Sequence, residues 1–228
     1  MPESRPFIPL NYTRPDEADV VRRARDLYAT MSTRRSVRHF ATDDVPRAVI
    51  EDVIRTASTA PSGAHKQPWT FVAVHDPALK RRIREAAEQE EHANYTERMS
   101  ETWLDDLEPF ATDWHKPMLT DAPWLIVVFR RLFEYEPDGT KHKNYYVNES
   151  VGLATGFLLS AIHQAGLVSL THTPSPMGFL AEVLDRPDNE RAFLLIPVGY
   201  PAPDCEVPVL ERKTLDEVAV FHMGEDDD

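Results

Sequence analysis

Residues 53–74 read VIRTASTAPSGAHKQPWTFVAV, an apolar helical pattern that stops in a loop and restarts as a strand. Val53, Ile54 and Ala57 continue the spacing of Val49 and Ile50, which predicts a helix over about 46–58 opened by the acidic residues and proline of DDVP at 43–46. APSGAHKQP then interrupts with two prolines and a glycine, and the aromatic and β-branched WTFVAV reads as a strand over 69–74. A helix delivered directly into a strand points to a mixed fold in which helices pack on a sheet.

Working outward, DEADVVRRARDLYATM at 16–31 places Val20, Val21, Ala24, Leu27, Tyr28 and Met31 on one helical stripe. A long polar helix is expected over about 77–107 and a buried strand over 124–130. YEPDGTKHKN at 135–144 reads as a hydrophilic connection. NESVGLATGFLLSAIHQAG has a broad apolar surface and ends in Gly166, a suitable C-cap, so it reads as a central helix. Strands at 167–172 and 192–199 flank a short helix near 177–184. The sum is an α+β fold of about four strands with helices around them. We expect one domain over residues 1–228, with a flexible extension at 1–15 and a flexible acidic tail at 222–228. The proline-interrupted but apolar segment 202–221 suits wrapping around a second copy, which favours a homodimer.

Composition narrows the partners. Lys plus Arg number 25 against 38 Asp plus Glu, and the net charge of -13 repels phosphate backbones and anionic membrane surfaces, so no nucleic acid and no membrane are expected. Apolar runs such as WLIVVF (124–129) and FLLIPV (193–198) are far below the roughly 20 residues that cross a bilayer. With no apolar leader pattern at the N-terminus, the expected location is cytoplasmic. The lone Cys205, in PDCEVP, has no cysteine to pair with and no neighbouring cation to make it a thiolate. The nine histidines show no paired metal-ligand spacing, so no metal site is expected.

Four stretches carry candidate chemistry. RRSVR brings Arg34, Arg35 and Arg38 together with the Ser36 hydroxyl, a composition suited to phosphate because guanidinium forks match its oxygens; a solvated basic turn has the same pattern. In APSGAHKQPW, Gly63 and Ala64 leave backbone open to a flat ligand and Ser62 offers a hydroxyl, although any helix-to-strand loop can look like this. SLTHTP ends a strand with Thr171 and Thr173 on one side. In EEHANYTERM, Glu91 and Tyr95 stand four apart and share a helix face, which by itself reads more readily as a solvent-facing pair than as a binding pair.

Together, RRSVRHF, the 53–74 stretch, NYTERM, the W-x-K at 114–116, LVSLTHTP, LLIPVGYP and LERKTLDE resemble the nitroreductase flavoprotein superfamily and, within it, the iodotyrosine deiodinases, over roughly residues 25–220. The resemblance implies a nitroreductase-like fold with a mostly antiparallel central sheet, an intertwined homodimer and bound FMN. It implies that Arg34, Arg35, Ser36, Arg38, Ser62, Gly63, Thr171, Thr173 and Arg212 bind the cofactor, with Thr173 donating to flavin N5 as the catalytic hydroxyl. It further implies that Ala64, Glu91, Tyr95 and Lys116 bind substrate, the last three as a lid over an amino-acid zwitterion. The implied activity is reductive dehalogenation of iodo-, bromo- or chlorotyrosine, with NAD(P)H as ultimate electron donor; the alternative is a generic nitroreductase or quinone reductase. Two departures stand out: His172 lies between the threonines where better-known relatives have a hydroxyl residue, and the following SPMGF is about one residue shorter.

Overall fold

The apolar run at 124–129 forms the spine of a four-stranded antiparallel sheet. In the computed structural model, which describes residues 7–224, β2 (Trp124–Arg131) pairs on one side with β1 (Trp69–Val74) and on the other with β6 (Glu190–Gly199). β6 pairs in turn with the two-residue β5 (Val168–Ser169), so the strand order is β1-β2-β6-β5. Register shifts once, between Val128 and Phe129.

Both faces of this sheet are covered, which is why β2 is apolar throughout rather than alternating. Ile126 and Val128 of β2, with Ile196 and Val198 of β6, face one core beneath α2 (Arg47–Ser58) and α6 (Val147–Gln164), where Ile50, Val53, Ala57, Leu158 and Ile162 are buried. Leu125, Val127 and Phe129 point the other way, onto α3 (Pro77–Ala93), α5 (Met118–Asp121) and α7 (Gly178–Val183) through Ile83, Leu119 and Leu180. The period of two along β2 therefore assigns alternate residues to the two cores. Each fully buried large side chain contributes about 1.5–3 kcal/mol. Gly166 adopts φ +78° after α6, the left-handed cap its position predicts.

The structure departs from the sequence reading in four places. The expected helix over 77–107 is broken: α3 ends at Ala93, a π-helical turn runs Asn94–Arg98, and Ser100 starts α4 (Glu101–Leu107) by accepting the Trp103 N–H. The hydrophilic connection contains a small hairpin, β3 (Phe133–Tyr135) with β4 (Lys141–Lys143). The strand expected over 167–172 is regular only at β5, although His172 still bridges Leu195. Finally, α1 (Glu17–Ser32) forms as expected but buries none of its residues within the chain: Leu27 is 55% and Tyr28 75% exposed. Parts of the expected flexible ends, 1–6 and 225–228, lie outside the described residues. Among the described residues no helix is long and apolar enough to cross a membrane.

Candidate active site

After α1 the chain becomes extended beside β5: Ser36 bridges Ser169 in parallel and the Val37 N–H donates to the Ser169 carbonyl at 3.1 Å. Alternation sends Val37 into the core and leaves Ser36 and Arg38 on the outer side. Arg34, Arg35, Ser36, Arg38, Thr171 and Arg212 line one cavity of about 480 Å³, so the structure brings six of the predicted cofactor residues together.

Two of these arginines shape the cavity. Arg35 donates to the Pro208 carbonyl, and Arg212 donates to the carbonyls of Ser32 and Arg34 at 2.9 and 2.8 Å. These bonds fasten the C-terminal segment over the arginine loop and satisfy carbonyls at the end of α1. Among the described residues the guanidiniums of Arg34 and Arg38 have no hydrogen-bonded or carboxylate partner; Arg38 lies over the Phe110 ring, 5.5 Å from its centroid. Burial pushes the Arg38 guanidinium below its ordinary pKa, with the Tyr95 phenol opposing that shift. Cations left without an anion in a cavity of this size suit a phosphate-bearing group, and FMN fits this donor set.

The second half of the site is the lid. Glu91 and Lys116, only 6% and 3% exposed, form an ion pair at 3.3 Å. The Lys116 ammonium also reaches Thr112 Oγ1 at 3.5 Å and the Asp113 carbonyl, and lies 5.4 Å from the centroid of the Tyr95 ring. Tyr95, carried by the π-helical turn, donates its hydroxyl to the Thr112 carbonyl at 3.2 Å. Burial raises the Glu91 pKa above the usual carboxylate value, opposed by the Lys116 charge; burial also raises that of Tyr95. The three predicted lid residues therefore meet, although Lys116 is distant from the others in sequence. Asn94 ties the lid to the loop after Thr173, its side-chain amide donating to the Ser175 carbonyl at 2.8 Å.

Thr173 is exposed, as is Thr171, whereas His172 between them is 8% exposed with its Nε2 unpartnered. Burial, together with the charges of Lys116 and Arg38, lowers its pKa to about 3 and keeps the ring neutral. The Ser62–Gly63–Ala64 loop does not line the arginine cavity. Ser62 Oγ accepts from the Gln67 N–H at 2.9 Å, and a Cβ on Gly63 would stand 2.9 Å from the Tyr146 ring, so Gly63 is required by packing. Ala64, His65 and Gln67 all have positive φ, at 48°, 55° and 47°. Such residues cost of order 1–3 kcal/mol each and concentrate where a precise backbone shape is used. Sequence reasoning missed Phe110, which ends the 3-10 turn Glu108–Phe110 and carries no local signal, and Glu88, whose carboxylate accepts the Lys116 N–H.

A helix-flanked antiparallel sheet with a cationic cavity beside a buried, doubly charged lid defines a cofactor-dependent small-molecule site. The chain belongs to the nitroreductase family, whose profile matches residues 31–200. Its relatives include iodotyrosine deiodinases: that of Haliscomenobacter hydrossis is 59% identical, covering 94% of this chain and 96% of the relative, and that of Hydra vulgaris is 47% identical, covering 94% and 79%. Among solved structures, an oxidized iodotyrosine deiodinase bound to FMN and 3-iodo-L-tyrosine matches with TM-score 0.73 and 31% identity, covering 86% of this chain and 100% of that one.

Proposed function

We propose that this protein is an FMN-dependent reductive dehalogenase of halotyrosines, releasing tyrosine and halide. The observation that carries this reading is the buried Glu91–Lys116 pair with Tyr95, adjoining a cavity in which Arg34 and Arg38 have no hydrogen-bonded or carboxylate partner among the described residues. A free amino acid bears an ammonium and a carboxylate on one carbon, and a site with both signs of charge can exchange its internal pair for them: Glu91 for the ammonium, Lys116 and the Tyr95 hydroxyl for the carboxylate. A promiscuous nitroreductase has no use for such a pair.

Arg34, Arg35, Ser36, Arg38, Thr171, Thr173 and Arg212 would hold FMN. When bound and reduced by NAD(P)H, FMN supplies the two electrons that, with a proton, replace the carbon–halogen bond by carbon–hydrogen. Thr173, which lies next to the cavity rather than in its lining, would offer a hydroxyl donor to the cofactor, and Ala64 a backbone group to the substrate phenolate. Lid residues exclude water and orient the ring. The Ser62–Gly63–Ala64 loop does not line the arginine cavity of its own chain, and in a homodimer the loop of a second copy would complete the site. The exposed stripe of α1 supports such a homodimer. A cytoplasmic location agrees with a nicotinamide donor.

Titrating the flavin fluorescence with 3-iodotyrosine, followed by halide release under dithionite, tests the reading. Tight binding is expected in the parent and its loss in Glu91→Gln and Lys116→Ala. Variants that bind iodotyrosine as tightly as the parent would exclude the lid assignment, and nitroaromatic reduction without halide release would favour the generic reductase.

A further inference from the structure

Glu88 stands one turn before Glu91 on α3, on the same face, and the mechanism above leaves it without a role. Its Oε1 accepts the backbone N–H of Lys116 at 2.7 Å and the Nε–H of Arg84 at 2.7 Å. Arg84 Nη1 donates to Thr120 Oγ1 at 2.9 Å, and that hydroxyl donates to the Pro117 carbonyl at 2.9 Å. The links close a ring that runs from α3 through residues 116 and 117 to α5 and back. α3 thus grips Lys116 twice, by its main chain through Glu88 and by its ammonium through Glu91. Both Glu88 and Arg84 are shielded, with side chains 19% and 30% exposed, so water competes poorly for these bonds.

Geometry at the base of Lys116 matters because its long, flexible side chain carries a point charge with little directionality of its own. A misplacement near 1 Å in a binding group can cost about 100-fold. The loop at 111–117 that bears Lys116 has no helix or strand to hold it.

We propose that the Arg84–Glu88 pair is the positioning device that sets Lys116 for the substrate carboxylate, and so fixes the preference for halotyrosines over halophenols lacking the amino-acid group. Glu88 does not line the arginine cavity and acts through the main chain of Lys116. This inference rests on the amino-acid reading of the lid.

The test compares dissociation constants of 3-iodotyrosine and 2-iodophenol for the FMN-loaded protein, together with hydrogen exchange at the Lys116 amide. Glu88→Ala is expected to raise the iodotyrosine constant about tenfold while the iodophenol constant moves less than twofold, and to speed exchange at Lys116. Glu88→Gln, which keeps an acceptor for the amide but loses the charge facing Arg84, is expected to fall between parent and Glu88→Ala. Equal effects on the two ligands, or none on either, would overturn the proposal. Lys116→Ala separates the two levels: if it removes the preference and the Glu88 variants do not, only the positioning role fails. If it leaves the preference intact, the amino-acid reading fails and takes the positioning role with it.

Discussion

The arginine cavity and the lid handle charge in opposite ways. In the cavity, Arg34 and Arg38 lie partly exposed and form no ion pair among the described residues, although Glu211 lines the same cavity. Beneath the lid, Glu91 and Lys116 are buried and paired with each other. A cavity that receives a phosphate can leave its cations to water, because the ligand brings the missing charge. A zwitterion brings both charges to a small volume, and there the protein has already incurred the desolvation of both partners, which the ligand's own charges replace one for one. Unpaired cations thus mark a place for a permanent anion, and an internal pair marks a place for an exchangeable one.

Breaking the internal pair should have the largest effect. Lys116→Met leaves Glu91 as a buried carboxylate without its cation, and such losses run to about 3–5 kcal/mol of stability. Its pH dependence distinguishes this from lost packing. The folded-state pKa of Glu91 is raised by burial even with Lys116 present, and removing the cation raises it further. A group whose folded pKa exceeds its unfolded value favours the folded state at low pH, and that contribution is lost as pH rises through the folded pKa. Urea denaturation of Lys116→Met should therefore show stability falling as pH rises above the unfolded carboxylate value, with the double variant Glu91→Gln/Lys116→Met recovering most of it at neutral pH. The same change in the cavity is milder. Arg38→Ala removes a cation with no hydrogen-bonded or carboxylate partner among the described residues and only the Phe110 ring beside it, so stability should nearly hold while FMN affinity, measured by equilibrium dialysis, drops by about 1.5–3 kcal/mol, the worth of a hydrogen bond to a charged group. If Arg38→Ala cost more stability than Lys116→Met, the contrast between the two regions would be inverted.

The two regions also differ in how far they were legible in sequence. RRSVR and the i, i+4 spacing of Glu91 and Tyr95 are local, and local patterns survive folding: both sets sit where their spacing predicts. The sheet was readable for the same reason, since β2 is one apolar run and α6 ends on Gly166. The break in the polar helix was not, because residues 94–98 hold no aliphatic side chain to set a helical period and neither Gly nor Pro marks the π-helical turn. The exposed β3–β4 hairpin buries too little to leave an alternating pattern. Lys116 meets Glu91 only through the packing of α5 on α3, and the network around Glu88 depends on the same long-range contact. Ser62 and Gly63 mark a third limit: sequence reading grouped them with the arginines, but one chain alone does not bring them to that cavity.

His172 joins the two regions, and its expected effect is the smallest of the three. The Lys116 and Arg38 charges both act on its buried ring, whose Nε2 has no partner. An unpartnered buried nitrogen is tolerable only while the ring is neutral, because a third cation would be added to two that are already close. With a folded pKa of about 3 against an ordinary 6.5, the unfolded chain binds this proton first as pH falls. The sign follows: the contribution is fully present above the unfolded value and is lost as pH falls below it. Between pH 7 and pH 5.5 the loss from this one group is about 1.2 kcal/mol. Denaturant midpoints between pH 7 and pH 5.5 should show that decline in the parent, and His172→Asn should flatten it whatever its stability at neutral pH. Since one of the two cations belongs to the lid pair and the other to the cavity, Arg38→Ala and Glu91→Gln should move the pH at which the decline levels off, near the folded value of about 3, up and down respectively. Removing Arg38 relieves the ring, while removing the Glu91 carboxylate leaves Lys116 less compensated beside it. An acid decline that survives in His172→Asn would assign it to other groups and detach the imidazole from both regions.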